Sequence, residues 1–420
     1  MKEQLFKYIE QSEALAVELE TELCKRPAVS PESGGEGELD KAEFLQAWLR
    51  DQGLVNLERF DAPDARAKGG VRPNLAASIP GLDDGNSSAP RLWIISHLDV
   101  VPPGEASLWQ SDPWQVIRQG PRIIGRGVED NQQGLVSSTL AALALIKLGI
   151  TPPHTVKLLF AADEEAGSAY GVLWLIKQIQ SGAIPELFRP NDMVLIPDGG
   201  DPQGETIEIA EKNLIWARFV TQGRQVHGSR PDQGINAHLA GAELAVKLHD
   251  GLSERFSDRD SLFEPDYSTF QPTKKEANVP NINTIPGEDV FCMDMRILPR
   301  YSNQEVLAEI DRIKAAVEAK YRVNISYTTP QAAESRPTPP DAPLIAFLAK
   351  TVKEVYGVKT RLIGIGGGTV AAPLRNRGIA AAVWSRMDDT AHQPNEYALI
   401  GNILGNAKVM ALLMAGNLGQ

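Results

Sequence analysis

A chain of 420 residues with 42% hydrophobic residues can bury a substantial core and has room for two domains. Its formal net charge of −12, with no clustered run of Lys and Arg, excludes nucleic acid and anionic membrane as main partners, because phosphate binding needs concentrated positive charge. Two cysteines do not make a disulfide framework in so long a chain, and no segment reaches the roughly 18 apolar residues of a membrane span, so a cytoplasmic location is expected.

The opening MKEQLFKYIEQSEALAVELETELCKR has apolar residues at helical spacing and lacks the uninterrupted apolar stretch of a secretion signal. Strand and helix patterns then alternate to about residue 206. NLAASIPG, RLWIISHLDVV, TVKLLFAADE and DMVLIPD read as strands, while GLVSSTLAALALIKLG and AYGVLWLIKQIQSG carry helical spacing. This alternation predicts an α/β domain on a mostly parallel sheet. Between 207 and 329 the rhythm changes. TIEIAEKNLIWARFVTQG, INAHLAGAELAVKLHDGL, STFQPTKK, DVFCMDMRILP, QEVLAEIDRIKAAVEAKY and VNISYTT read as strand, helix, strand, strand, helix, strand, with Ser302 and Glu305 spaced as a capping box. That order is the ferredoxin-like βαββαβ motif, expected as an inserted unit. RPTPPDAP reads as a linker, and LIAFLAKTVKEVYG, TRLIGIGGGTVAAPL, IAAAVWSR and a last helical run return to the first domain. The expected division is 1–206 with 330–420 as one discontinuous domain and 207–329 as the other.

Five metal-type side chains follow the strand-like runs: His97 after RLWIIS, Asp130 closing GRGVED, Glu165 after TVKLLFAADE, Asp198 after MVLIP, and His392 after IAAAVWSRMDDTA. Strand carboxyl ends of an open α/β sheet gather at one edge, so these residues are expected to converge. Two neutral imidazoles and three carboxylates carry about −3, a charge matched by two divalent cations and one hydroxide rather than by a single cation. Zinc is the first expectation, with cobalt or manganese as alternatives. Asp163, Glu164 and Glu165 form a run of acids that is costly without a cation, and one Glu can ligate while its neighbour stays free as a base. Asp99, two residues after His97 on the same side of an extended segment, can hydrogen-bond that imidazole and fix its tautomer. Each feature has a plainer reading: a solvated loop for the acids, a surface turn for His392, an ordinary polar strand end for Ser96 to Asp99. Gly364 to Gly368 lacks the GxGxxG spacing of a nucleotide loop and suits a backbone platform against substrate. His154, His238 and His249 have no motif around them and read as structural or surface residues.

Together SHLDVV, GRGVEDNQQG, AADEEAGS, VLIPD, QGRQVHGSRPDQGINA, NTIPGEDVFCMDMRILP, GGGT and HQPNEY resemble the M20 family of metallopeptidases over about residues 25 to 410. The resemblance implies a zinc-hydrolase domain carrying an inserted lid and dimerisation domain. It implies one zinc on His97, Asp130 and Asp198 and another on Asp130, Glu165 and His392, with Asp130 bridging and its peptide to Asn131 cis. By the same resemblance Glu164 is the general base, Asp99 the orienting carboxylate, and His227 a lid histidine reaching the partner subunit's active site in a homodimer. Asn283, Arg296, Gly368 and Thr369 match substrate-contacting positions; the alternative for Arg296 is a pair with Asp294 on the same strand face.

The chain departs from that pattern twice. Asn131-Gln132-Gln133-Gly134 adds a residue and lacks a lysine that many relatives carry, and Asp198 stands where deacylases of the family commonly have Glu. The second departure favours the dipeptidase side. The expected activity is hydrolysis of an amide or peptide bond in a dipeptide or N-acyl amino acid with a free carboxylate. The alternatives are a deacylase of the acetylornithine deacetylase or succinyl-diaminopimelate desuccinylase type and, more distantly, a non-catalytic metal-binding scaffold.

Overall fold

The apolar runs of the first domain pair into one mixed sheet, mostly parallel at its centre. The computed structural model describes residues 1–86 and 88–416. It divides into a unit of residues 1–209, 338–362 and 373 onward, and a second unit of residues 210–337 and 363–372. In the sheet of the first unit the strands lie in the order Leu57–Pro63, Val71–Ile79, Val156–Ala161, Leu92–His97, Met193–Asp201, Ala380–Arg386, Thr206–Glu211, Arg361–Ile365. Leu92–His97 runs parallel to both its neighbours, and Met193–Asp201 runs parallel to Ala380–Arg386. All six residues of Leu92–His97 are buried, which is why its first four, LWII, are apolar instead of alternating. Helices Gln133–Leu148 and Ile400–Ala415 are also buried over most of their length, and Ser137 Oγ donates to Ile403 O across them at 3.0 Å.

Parallel register carries the chemistry to one edge. His97 pairs with Ala161, so the strand end at His97 lies beside the acidic turn that follows Ala161. Asp198 differs from its expected place, since its strand continues to Asp201 and the side chain leaves from within the strand.

The second unit is the expected antiparallel sheet, ordered Thr269–Lys275, Glu288–Ile297, Asn213–Gln222, Asn324–Ala333. Asn213–Gln222 alternates buried and more open residues, as a sheet covered on one face should. Helices Ala237–Arg255 and Asn303–Tyr321 share with it a core that includes Phe219, Leu244, Phe291 and Ile310. Phe219 and Phe291 stack with centroids 5.0 Å apart, and the Ser302–Glu305 capping box is formed.

Three details differ from the linear reading. TIEIAEKNLIWARFVTQG breaks at Lys212 into Thr206–Glu211 and Asn213–Gln222, which belong to different sheets. The boundaries fall at 209/210 and 337/338, and residues 363–372, with the whole glycine run, group with the second unit. The Pro-rich stretch is mostly exposed but anchored at Thr338, which is buried and whose Oγ1 donates to Ala381 O at 2.6 Å and accepts from Ala381 N at 3.0 Å. Among the described residues no helix is long and apolar enough to cross a membrane.

Candidate metal centre

His97 closes its strand with the ring buried. Nδ1 lies 2.9 Å from the backbone oxygen of Asp99 and 3.4 Å from its carboxylate, which leaves Nε2 facing the carboxylates of Asp130 (3.0 Å) and Asp198 (3.5 Å). The hydrogen bond that orients the ring thus comes from the Asp99 carbonyl. The Asp99 carboxylate accepts the backbone N–H groups of Glu164 and Glu165, each at 3.0 Å, and so grips the acidic turn.

That turn sorts its three acids. Asp163 adopts a φ of +64°, a left-handed conformation that Asp tolerates better than most residues. Its carboxylate turns inward to Arg72 at 3.0 Å and to Tyr170 N at 3.0 Å, while its own N–H donates to Glu38 at 3.2 Å. Glu165 reaches His392, with Oε2 3.1 Å from Nε2. Glu164 is half-buried, and its carboxylate accepts no hydrogen bond among the described residues. Burial pushes it well above the ordinary carboxylate range, and the Asp198 charge adds to the rise.

Asp130 sits at the centre. Oδ1 is 3.0 Å from His97 Nε2 and Oδ2 is 3.0 Å from His392 Nε2, so each oxygen addresses a different imidazole. His392 itself has a φ of +62°, and the Asp130–Asn131 peptide is cis. Two three-donor groups result, His97 with Asp130 and Asp198, and Asp130 with Glu165 and His392, each with ligand atoms within 4.8 Å of one another. The donor set is imidazole nitrogen and carboxylate oxygen, as zinc, cobalt and manganese accept.

The electrostatics suit cations as well. Burial of His97 opposes its charge, yet Asp198 and Asp130 outweigh that and raise the ring well above its ordinary value. Hydrogen bonds to Asp130 and Glu165 lift His392 to about 10. Burial raises Asp198 to about 6, whereas Asp130, although burial opposes its ionisation, is held below the usual range by His392 and His97. The residues fit divalent ions.

One supporting residue had no signal of its own. Glu396, inside the HQPNEY motif, is fully buried. Its Oε2 accepts Arg126 Nη1 (2.6 Å) and Gly127 N (3.0 Å), and its Oε1 accepts Glu129 N (2.9 Å) and Asp130 N (3.0 Å), so it holds the loop that presents Asp130. The only hint was an acid in a motif otherwise noted for His392. Gln132, in the departing segment, is buried with its amide nitrogen 3.2 Å from Glu20 Oε2 and its oxygen 3.3 Å from Lys41 Nζ when the amide is oriented to suit those partners.

The remaining expected residues lie in the second unit. His227 is exposed, with Nδ1 2.8 Å from Ser229 Oγ, and pairs in register with Thr284, next to Asn283. Gly228 N donates to Asn283 O at 2.6 Å, and Asn281 Nδ2 donates to the Asn283 side chain. Arg296 gives Nε and Nη2 to the two oxygens of Asp294 (2.8 and 3.0 Å) and Nη1 to Gly366 O (2.7 Å). Its fork is therefore already engaged along the strand face. Thr369, after Gly368, donates N and Oγ1 to Glu211 at 3.1 and 2.7 Å. His154, His238 and His249 have structural partners in Asp83, Asp289 and Phe270 O.

The model of peptidase family M20/M25/M40 matches residues 93–416. An uncharacterized metallohydrolase of Methanocaldococcus jannaschii is 38% identical over 407 residues, 94% of this chain and 97% of that one. Succinyl-diaminopimelate desuccinylase of Gluconacetobacter diazotrophicus is 27% identical over 96% of this chain and 97% of its own. Human carnosine dipeptidase 1 shares the fold with a TM-score of 0.69 at 16% identity, over 99% of this chain and 98% of that one.

Proposed function

The chain belongs to peptidase family M20/M25/M40, and on that premise we propose that it is a dinuclear metallohydrolase cleaving a dipeptide or N-acyl amino acid with a free carboxylate. The observation that carries this reading is the pair of three-donor groups sharing Asp130, with the unengaged carboxylate of Glu164 on the turn that supplies Glu165. His97, Asp130 and Asp198 would hold one ion and Asp130, Glu165 and His392 the other, zinc first. Bound there, the ions would supply Lewis acidity toward the scissile carbonyl and acidify water. Glu164 accepts the proton of the attacking water and returns it to the leaving amine. Asp99 acts through the backbone of the acidic turn, holding Glu164 and Glu165 at their places. Asn283, Gly368 and Thr369 contact substrate, and the two unpaired thiols, Cys24 and Cys292, suit the cytoplasm.

A deacylase reading is favoured by the desuccinylase relative, and substrate decides between the two. The metal-loaded protein is expected to hydrolyse free-acid dipeptides or N-acyl amino acids, with activity lost on chelation and restored by zinc, cobalt or manganese. In the same assay Arg296→Lys tests the carboxylate requirement. A guanidinium grips a carboxylate with two parallel hydrogen bonds that Lys cannot make. If Arg296 turns its fork from Asp294 to substrate, the change costs about 1–3 kcal/mol in kcat/KM for free acids and far less for amidated substrates. Equal loss for both forms would assign Arg296 to the fold alone and remove the carboxylate requirement. No hydrolysis of either substrate class by a loaded protein would overturn the reading as a whole.

We further propose a homodimer through the second unit, with His227 donating to the oxyanion in the partner's site. Mixing inactive Glu164→Gln with inactive His227→Ala should restore activity, because exchange creates one site with both groups intact. Demonstrated exchange without recovery would place the action of His227 within its own subunit or nowhere.

A further inference from the structure

One buried amide ties the backbone of one proposed metal ligand to the carboxylate of another. Asn131 is 1% exposed and directly follows Asp130. Its Nδ2 donates to Pro197 O and to Asp198 Oδ1, each at 2.7 Å, and its Oδ1 accepts the backbone N–H of His97 at 3.4 Å. Both amide N–H groups are thereby used.

The place of these bonds matters. His97 and Asp198 belong to neighbouring parallel strands whose register runs through Leu92↔Met193, Trp93↔Val194 and Ile94↔Leu195 and then stops. Beyond that point the N–H of His97 and the carbonyl of Pro197 are both taken by Asn131, which closes the gap between the strand ends. Gly134 leaves it room, because a Cβ there would come within 2.5 Å of Pro197 O and 3.0 Å of Asn131 Nδ2. The contact with Asp198 comes from a neutral donor, which orients the carboxylate without displacing a cation from it.

We propose that Asn131 is a positioning residue that holds His97 and Asp198 as a preset pair and so sets the affinity of one ion position and not the other. The inference rests on the two-ion reading above. A ligand held by a hydrogen-bonding neighbour loses less freedom when the ion arrives, and removal of such a neighbour typically costs about 10- to 100-fold in metal affinity.

The test is a cobalt titration of the metal-free protein, followed by visible absorption and by equilibrium dialysis. His97→Ala and His392→Ala identify which binding step belongs to which group. Asn131→Leu, close in volume, removes all three hydrogen bonds. It should weaken the His97-dependent step by about 10- to 100-fold and leave the other within about 3-fold. Asn131→Asp keeps an acceptor for His97 N–H but loses both donors, and it should weaken the same step. Should the leucine variant fail to fold, the aspartate variant decides. Equal weakening of both steps, no weakening of either, or tighter binding in Asn131→Asp would overturn the inference. A single step in the unmutated protein would instead refute the two-ion reading, and Asn131 would then be judged on whichever step His97→Ala removes.

Discussion

Glu164→Gln is expected to lower kcat/KM by about 100-fold or more while leaving metal content unchanged, because only the proton-transfer group is removed. The side chain is nearly isosteric, and the backbone N–H that Asp99 holds at 3.0 Å is untouched. Neither three-donor group includes Glu164. Glu165→Ala should differ in kind, losing metal affinity and activity together because its carboxylate faces His392. Near-normal turnover in a fully loaded Glu164→Gln protein would mean that another base takes the proton.

The same variant makes a signed prediction for the metal-free protein. The Glu164 carboxyl is raised above its unfolded value of about 4.3, chiefly by burial and then by the Asp198 charge. A group raised in the folded state favours folding below the unfolded pKa, and that contribution is lost as pH rises through the folded pKa. Metal-free Glu164→Gln should therefore melt no lower than the parent at neutral to alkaline pH, with its relative advantage shrinking toward acid. A variant clearly less stable than the parent at pH 8 would contradict burial as the cause.

Glu396→Gln should cost about 3–5 kcal/mol, the usual consequence of removing one partner from a buried ion pair. Arg126 and Glu396 are both almost fully enclosed, at 2% and 0% side-chain exposure. A glutamine offers one acceptor oxygen where the carboxylate uses two, so at least one of Gly127, Glu129 and Asp130 loses its partner as the Arg126 charge loses its counterion. The loss should appear as a lower denaturation midpoint with an unchanged m value. Metal affinity should fall too, since Asp130 N is one of the four anchors. Asp232→Asn, which breaks the exposed Arg230–Asp232 pair, is the control and should cost about 0–1 kcal/mol. A Glu396 variant as mild as that control would remove Glu396 from the support of the site.

Much of the candidate donor set was legible because its placement depends on local pattern. A buried parallel strand is largely apolar, so a run such as LWII announces that its end is near, and the residue at that end lies at the sheet edge where other strand ends gather. This reasoning marked His97 at a strand end, while Glu165 lies in the turn after its strand and Asp198 within its own. The Ser302 capping box and the order of elements between 213 and 333 were legible for the same reason, since a cap or a period of 2 or 3.6 is a property of a few neighbouring residues.

What lay hidden depends on partners far along the chain. Glu396 meets Arg126 across 270 residues, and Arg72 meets Glu38 across 34, so no window of sequence contains either pair. Asp99 illustrates the limit at short range: its spacing from His97 suggested a carboxylate on the imidazole, and the fold sets that carboxylate 3.4 Å from Nδ1 but puts the Asp99 backbone oxygen nearer, at 2.9 Å, and gives the carboxylate the N–H groups of residues 164 and 165 as well. Arg296 has its fork filled by Asp294 and Gly366, a competition that a donor inventory alone does not decide. The sequence by itself determined which residue types stand at the strand ends, because burial leaves an imprint on composition. Only the tertiary structure decided which hydrogen-bonding partner each of them received, because a polar side chain pairs with whichever group the packing of distant elements brings within about 3 Å.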